Sequence, residues 1–153
     1  MLLRMSPADA TKYWTVIQNK IRPSLPPIVD EMEVMLGNLL LAIQREDMTV
    51  WLIYEEIEGQ KVSKGLYFTT VVYDAITNTK NILAYALVNL TDAKIQDATW
   101  KNLLDTISKF GAQYGCSKIV AYSRNPYGIE LAKRHGCDTS WTLVSYDIAQ
   151  GGK

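Results

Sequence analysis

Histidine and cysteine are scarce in this chain, and no apolar run is long. His135 is the one histidine, and Cys116 and Cys137 are the two cysteines. Two cysteines do not make a disulfide scaffold. Each follows a glycine after a predicted helix and reads as a small buried apolar residue in a reducing compartment. With no CxxC pair and a single histidine, no metal site is expected. The longest apolar run, Leu39 to Ile43, is far too short to span a bilayer. Met1 to Met5 lacks the apolar stretch of a signal peptide, so a cytoplasmic protein is expected. Net charge is missing too, because sixteen basic residues balance sixteen acidic ones. A neutral chain feels no long-range pull toward nucleic acid or an anionic membrane, and neither is expected as a partner.

What is present suits a globular protein. The chain has 153 residues, 48% hydrophobic and 21% charged, enough for one domain, 1–153, with a real core. Ser6-Pro7 reads as an N-cap and first helical residue. Ala10, Tyr13, Trp14, Ile17 and Ile21 follow at helical spacing up to Pro23. A second helix carries Met32, Met35, Leu36, Leu39 and Ile43 on one face, with Asp30, Glu31 and Glu33 at its N-terminal end, where the helix dipole favours acids. Three β-rich stretches come next: Thr49–Tyr54, Leu66–Tyr73 and Ile82–Leu90. The polar stretch Glu55 to Lys64 is expected to connect the first two. A helix over Asp97–Tyr114, a strand over Lys118–Tyr122, a helix opened by Asn125-Pro126 and ended by Gly136, and a strand over Ser140–Asp147 complete the pattern. A short strand over Leu2–Met5 precedes it, and the tail 149–153 is polar.

The order is α-α-β-β-β-α-β-α-β. Ile82–Leu90 and Lys118–Tyr122 should form a right-handed parallel crossover, and the rest of the sheet should be antiparallel. The fold class is α/β (α+β), a mixed central sheet with helices on both faces. Over nearly the whole chain this order resembles the GNAT family of acyl-CoA N-acyltransferases. The local match lies in Gly115-Cys116-Ser117-Lys118-Ile119-Val120-Ala121-Tyr122, then Asn125, then Ala132-Lys133-Arg134-His135-Gly136-Cys137. The chain also resembles small, divergent GNAT-like proteins encoded among the virion genes of tailed bacteriophages, which implies an assembly factor or virion component.

The resemblance implies an acyl-CoA site where the two parallel strands splay, with pyrophosphate on the N–H groups that open the intervening helix. A helix N-terminus is a ready anion site, and the family approaches it through a glycine-rich loop. Here the segment reads Thr91-Asp92-Ala93-Lys94-Ile95-Gln96-Asp97-Ala98-Thr99-Trp100, with no glycine. Lys94, Gln96 and Lys101 are the candidate phosphate contacts and Asn125 the candidate along the pantetheine arm. Asp92 and Asp97 would repel phosphate, and Trp100 stands where the family wants a small residue. Among catalytic candidates, Glu55, with Glu56 and Asp74, is an acid at a strand end, and Tyr85, Tyr122 and Tyr127 are phenols able to protonate a thiolate. The family's usual general-acid position falls on Ala132. His135, with Lys133 and Arg134, makes a basic last turn suited to a helix C-terminus. Two functions follow. The first is a divergent, non-catalytic GNAT-like protein acting in binding or assembly, with no cofactor and with protein partners or self-association. The alternative is an acetyl-CoA-dependent N-acetyltransferase acting on a small-molecule or protein amine. Four tryptophans and nine tyrosines favour contact surfaces. Trp14 and Trp100 are expected in the core, and Trp51, Tyr54, Tyr73 or Trp141 at an exposed edge.

Overall fold

A computed structural model describes residues 1–25 and 31–145. They fall into two compact units, one from Met1 to Ala121 and one from Tyr122 onward. The first unit is built on a five-stranded sheet in the order β1-β2-β3-β4-β5. Its strands are β1 (Leu2–Arg4), β2 (Met48–Ile57), β3 (Gln60–Asp74), β4 (Thr79–Asn89) and β5 (Cys116–Ala121). The pairs β1/β2, β2/β3 and β3/β4 are antiparallel. β4 and β5 are parallel and adjacent, joined by the helix α4 (Asp97–Gln113). The mixed sheet and its parallel crossover are those expected from the sequence.

The two faces of the sheet carry separate cores, and strand alternation sorts residues between them. Val50, Leu66, Phe68, Ala86 and Val88 pack with Ala10, Ile17, Ile21, Leu36, Leu39 and Ile43 from the N-terminal helices. Trp51, Ile53, Tyr67, Ile82 and Ala84 pack with Leu103 and Ile107 of α4. The buried residues of α4 recur every four positions: Thr99, Leu103, Ile107, Gly111. Burying a Leu or Ile side chain contributes about 1.5–3 kcal/mol, so this single stripe anchors the helix.

Several sequence expectations are corrected. The first helix is two, α1 (Pro7–Lys12) and α2 (Trp14–Ile21), broken at Tyr13, whose φ is −96° and ψ 13°. The Thr11 hydroxyl donates to the Pro7 carbonyl at 2.8 Å, a back-bond that bends helices. The second helix, α3, spans Met32–Gln44; Asp30, expected at its start, lies outside the described residues. Glu55 to Lys64 is not a connector. β2 and β3 continue through it and close at Glu58-Gly59, with φ of 52° and 76°. A two-residue hairpin turn needs both residues at positive φ, because only that twist matches the flanking strands. The strand expected over Ser140–Asp147 is absent as far as Ser145, and its last residues lie outside the described ones, as does the tail 149–153. There the Asp138 carboxylate accepts both the N–H and the hydroxyl of Ser140, a local turn that competes with strand pairing.

The second unit holds α5 (Pro126–Arg134). The Asn125 side chain accepts the Tyr127 N–H at 3.1 Å, and Gly136, at φ 80°, follows the last turn. Both ends match the sequence reading, as does the Ser6 hydroxyl that accepts the Asp9 N–H at the start of α1.

Candidate functional site

Two β-bulges shape the end of the sheet that faces the start of α4. The first is on β4. Phe68 pairs with Ala86 and Thr69 with Ala84, so Tyr85 is one residue too many. The extra residue switches the strand's faces: Ile82 and Ala84 lie in the α4 core, Ala86 and Val88 in the other. The β4/β5 ladder also stops here, at Ala84 opposite Ala121, while β4 runs on to Asn89. Among the described residues no strand pairs with Tyr85–Asn89 on that side. β5 itself ends at Ala121, so β4 extends beyond its parallel partner. The Tyr85 hydroxyl donates to the Met35 sulfur at 3.4 Å, and burial holds its phenol above the usual value.

The second bulge is on β3. Ile53 pairs with Gly65 and Tyr54 with Ser63, leaving Lys64 as the extra residue. Its ammonium lies 3.7 Å from a Glu55 carboxylate oxygen, and the two side chains are only 7% and 5% exposed. The Lys64 carbonyl accepts the N–H of Leu90, which ties the end of β4 to the bulge. Next to it Gly65 has no room for a side chain, since a Cβ there would sit 2.8 Å from the Val88 carbonyl oxygen.

Glu55 connects this bulge to α4. Its Oε1 accepts the backbone N–H of Gln96 at 2.9 Å and the hydroxyl of Thr99 at 2.9 Å. The first turn of α4, with Gln96 as N-cap residue, therefore carries a buried carboxylate from β2. A negative group is stabilised there by orphan amides and the helix dipole. Burial works against the charge of Glu55. The Gln96 N–H, the Thr99 hydroxyl, Lys64 and the N-terminal ammonium outweigh it and hold the carboxyl below its usual value.

The other predicted site residues are spread more widely. Lys94 is exposed on the β4–α4 loop, and Gln96 and Lys101 are exposed at and after the helix start. Of the candidates, Glu55 and Gln96 are brought into direct contact, through the Gln96 backbone rather than its side chain. Tyr122 and Tyr127 are exposed in the second unit, where Asn125 caps α5. Sequence reasoning missed Lys64 and Thr99. Both are polar residues whose burial depends on the bulge and on the carboxylate between them. The one available signal was a lysine beside Gly65 at the edge of an apolar run.

At the opposite end of α4 lies an open cleft of about 430 Å³, lined by residues that include Arg4, Glu46, Thr69, Lys80, Phe110 and Tyr114. Arg4 stacks 5.5 Å above the Phe110 ring and lies 3.5 Å from Glu46. Trp51 meets Phe110 edge-on at 5.1 Å and donates its indole N–H to Thr69. Trp51 is thus core, while Tyr73 and Trp141, of the aromatics among which at least one exposed edge residue was expected, are exposed.

No family model matches the sequence, and no curated protein does. Solved structures do. A probable acetyltransferase superposes with a TM-score of 0.67 at 7% identity, covering 97% of this chain and 96% of its own. An aminoglycoside N-acetyltransferase in complex with CoA gives 0.67 at 12%, covering 96% and 93%. A predicted acetyltransferase with acetyl-CoA from Clostridium acetobutylicum gives 0.65 at 10%, covering 98% and 97%. The chain has the GNAT-like fold. At such identities the likeness speaks for the architecture alone. Within the GNAT-like fold, the bulged β4 and the start of α4 are the elements the resemblance assigned to acyl-CoA. Among the described residues no helix is long and apolar enough to cross a membrane.

Proposed function

We propose that this chain uses an acetyltransferase scaffold for binding or assembly, and does not turn over a phosphate-anchored acyl-CoA. One observation carries the reading. The first turn of α4, where an acyl-CoA pyrophosphate would rest, already holds the Glu55 carboxylate on the Gln96 N–H and the Thr99 hydroxyl. A buried negative charge at that spot repels a second one. The approach loop adds Asp92 and offers no glycine for a close backbone contact. The chemistry of the surface fits contact with protein, since aromatic rings such as those of Tyr73 and Trp141 stand exposed and rings of this kind anchor interfaces. A virion or assembly role, as in the phage proteins the sequence resembles, is the form of this function we favour.

A specific observation favours the second reading, an N-acetyltransferase. Among the described residues no strand pairs with Tyr85–Asn89 beyond the point where β5 stops pairing, next to a bulge. Backbone N–H groups on such an edge suit a thioester carbonyl whose oxygen gains charge during acyl transfer.

Calorimetric titration with acetyl-CoA separates the two. No measurable binding is the expected result. Micromolar affinity, on the order of −8 kcal/mol, would overturn the proposal and favour the enzyme. Sedimentation of the purified protein, alone and with proteins encoded beside it, tests the positive half: the expected outcome is a species heavier than the monomer.

A further inference from the structure

The first turn of α4 holds more than a capped helix end. Lys64 is a nearly fully buried lysine, and its contact with Glu55 is 3.7 Å, an ion-pair distance well beyond the roughly 2.8 Å of a charge-assisted hydrogen bond. A buried ion pair at that separation recovers little of what its desolvation costs. Lys64 is therefore poorly explained as a device for stability. Two further donors stand close by in the chain. The Thr91 hydroxyl on the β4–α4 loop and the Trp100 indole N–H on the first turn are buried without a hydrogen-bond partner. An indole N–H can only donate, so its missing partner is an acceptor. Around Glu55 itself stand a cation, Lys64, and the two donors of Gln96 and Thr99.

We infer that Glu55 is a specificity-determining residue: it shuts phosphates out of an anion seat whose cation, Lys64, and whose Gln96 and Thr99 donors are all in place. The inference rests on the functional reading above and deepens it. The seat is closed by one side chain from β2, rather than dismantled. A phosphate in place of the carboxylate inherits the Gln96 N–H, the Thr99 hydroxyl and Lys64. Glu55 sits on an interior strand of the sheet, with a side chain only 5% exposed. Removing it by mutation is what reopens the seat.

The test uses inorganic pyrophosphate at constant ionic strength, followed by calorimetry on the full chain, with far-UV circular dichroism confirming the fold. Wild type is expected to show no binding. Glu55→Ala is expected to bind at least about tenfold more tightly than wild type, a difference of about 1.4 kcal/mol. Glu55→Ala/Lys64→Met is expected to lose that gain. Should Glu55→Ala fail to fold, Glu55→Ser gives a second short side chain that vacates the seat. Pyrophosphate should then raise the Tm of Glu55→Ser and leave that of wild type unchanged. A folded Glu55→Ala or Glu55→Ser indifferent to pyrophosphate overturns the inference, as does binding that survives Lys64→Met. Silent variants beside a wild type that ignores acetyl-CoA would sink this inference alone. Acetyl-CoA binding by wild type would sink the functional reading with it.

Discussion

The two ends of α4 are built on opposite plans. At the N-terminal end a carboxylate, a buried lysine and a threonine hydroxyl close around the first turn, all nearly inaccessible. At the C-terminal end an exposed arginine, an aromatic pair and three threonines surround an open cleft. The N-terminal end of α4 is therefore filled by the chain's own carboxylate, and the C-terminal end is left open to solvent. The comparison teaches that architecture and site can part company. The mixed sheet matches the GNAT-like fold, while the first turn of α4 carries an internal anion.

The largest expected effect is at the closed end. Glu55→Ala leaves the Lys64 ammonium buried without its counter-charge and costs about 3–5 kcal/mol, read from urea unfolding. Adding Lys64→Met should recover most of that loss, because the uncompensated charge is the dominant penalty. Equal losses in the single and double variants would mean that the ion pair is not what closes this end.

At the open end the corresponding buried contact is weaker. Trp51→Phe removes the donor to Thr69, whose side chain is 1% exposed. The cost should be about 1–3 kcal/mol, measured in the same way. A loss as large as that of Glu55→Ala would erase the contrast between the two ends.

pH should also separate them. The Glu55 carboxyl is held below its usual value in the folded chain. Its contribution is thus complete above the unfolded value of 4.5 and falls away as pH drops through the lower folded value. Wild type should exceed Glu55→Gln in stability at neutral pH and converge with it in acid. A constant gap across that window would show that Glu55 acts through shape and not through charge.

The smallest effect belongs to Arg4→Ala. Its ion pair with Glu46 spans 3.5 Å between side chains that are 43% and 62% exposed. Solvent screening holds such pairs to about 0–1 kcal/mol, and loss of the stacking on Phe110 adds a comparable amount. A Tm shift of only a few degrees, roughly what about 1 kcal/mol gives for a chain of this size, is the expected result.

Much of the fold was legible in the residues. Ser6-Pro7 and Asn125-Pro126 announce their helices because a cap needs only a side-chain oxygen and a residue of fixed φ close in sequence. The stripe Leu103, Ile107 announces burial because periodicity is local. The parallel crossover followed from strand, helix and strand in that order. The elements missed were those set by distant partners. The hairpin arms beyond Tyr54 and before Leu66 looked like a polar loop, since their residues alternate only where each strand lies against the other. The strand expected at Ser140 had the composition of one, but a strand is defined by its neighbour, and the Asp138 turn prevails there.

The site divides in the same way. The sequence alone determined that the approach to α4 has no glycine and that Asp92 stands in it. These are facts of residue type, and they bear on phosphate binding whatever the coordinates. Only the tertiary structure decided what fills the seat. Glu55 and Gln96 are far apart in the chain, and no pattern in either segment predicts that β2 delivers a carboxylate to the N–H groups of α4. Lys64 and Tyr85 depend on single-residue bulges, which shift a side chain from one face of the sheet to the other without altering composition or spacing. The physical reason is common to all three. Helix caps and apolar stripes are written in neighbouring residues, whereas the charge that closes this site is a contact between strands, and its partners are set by register.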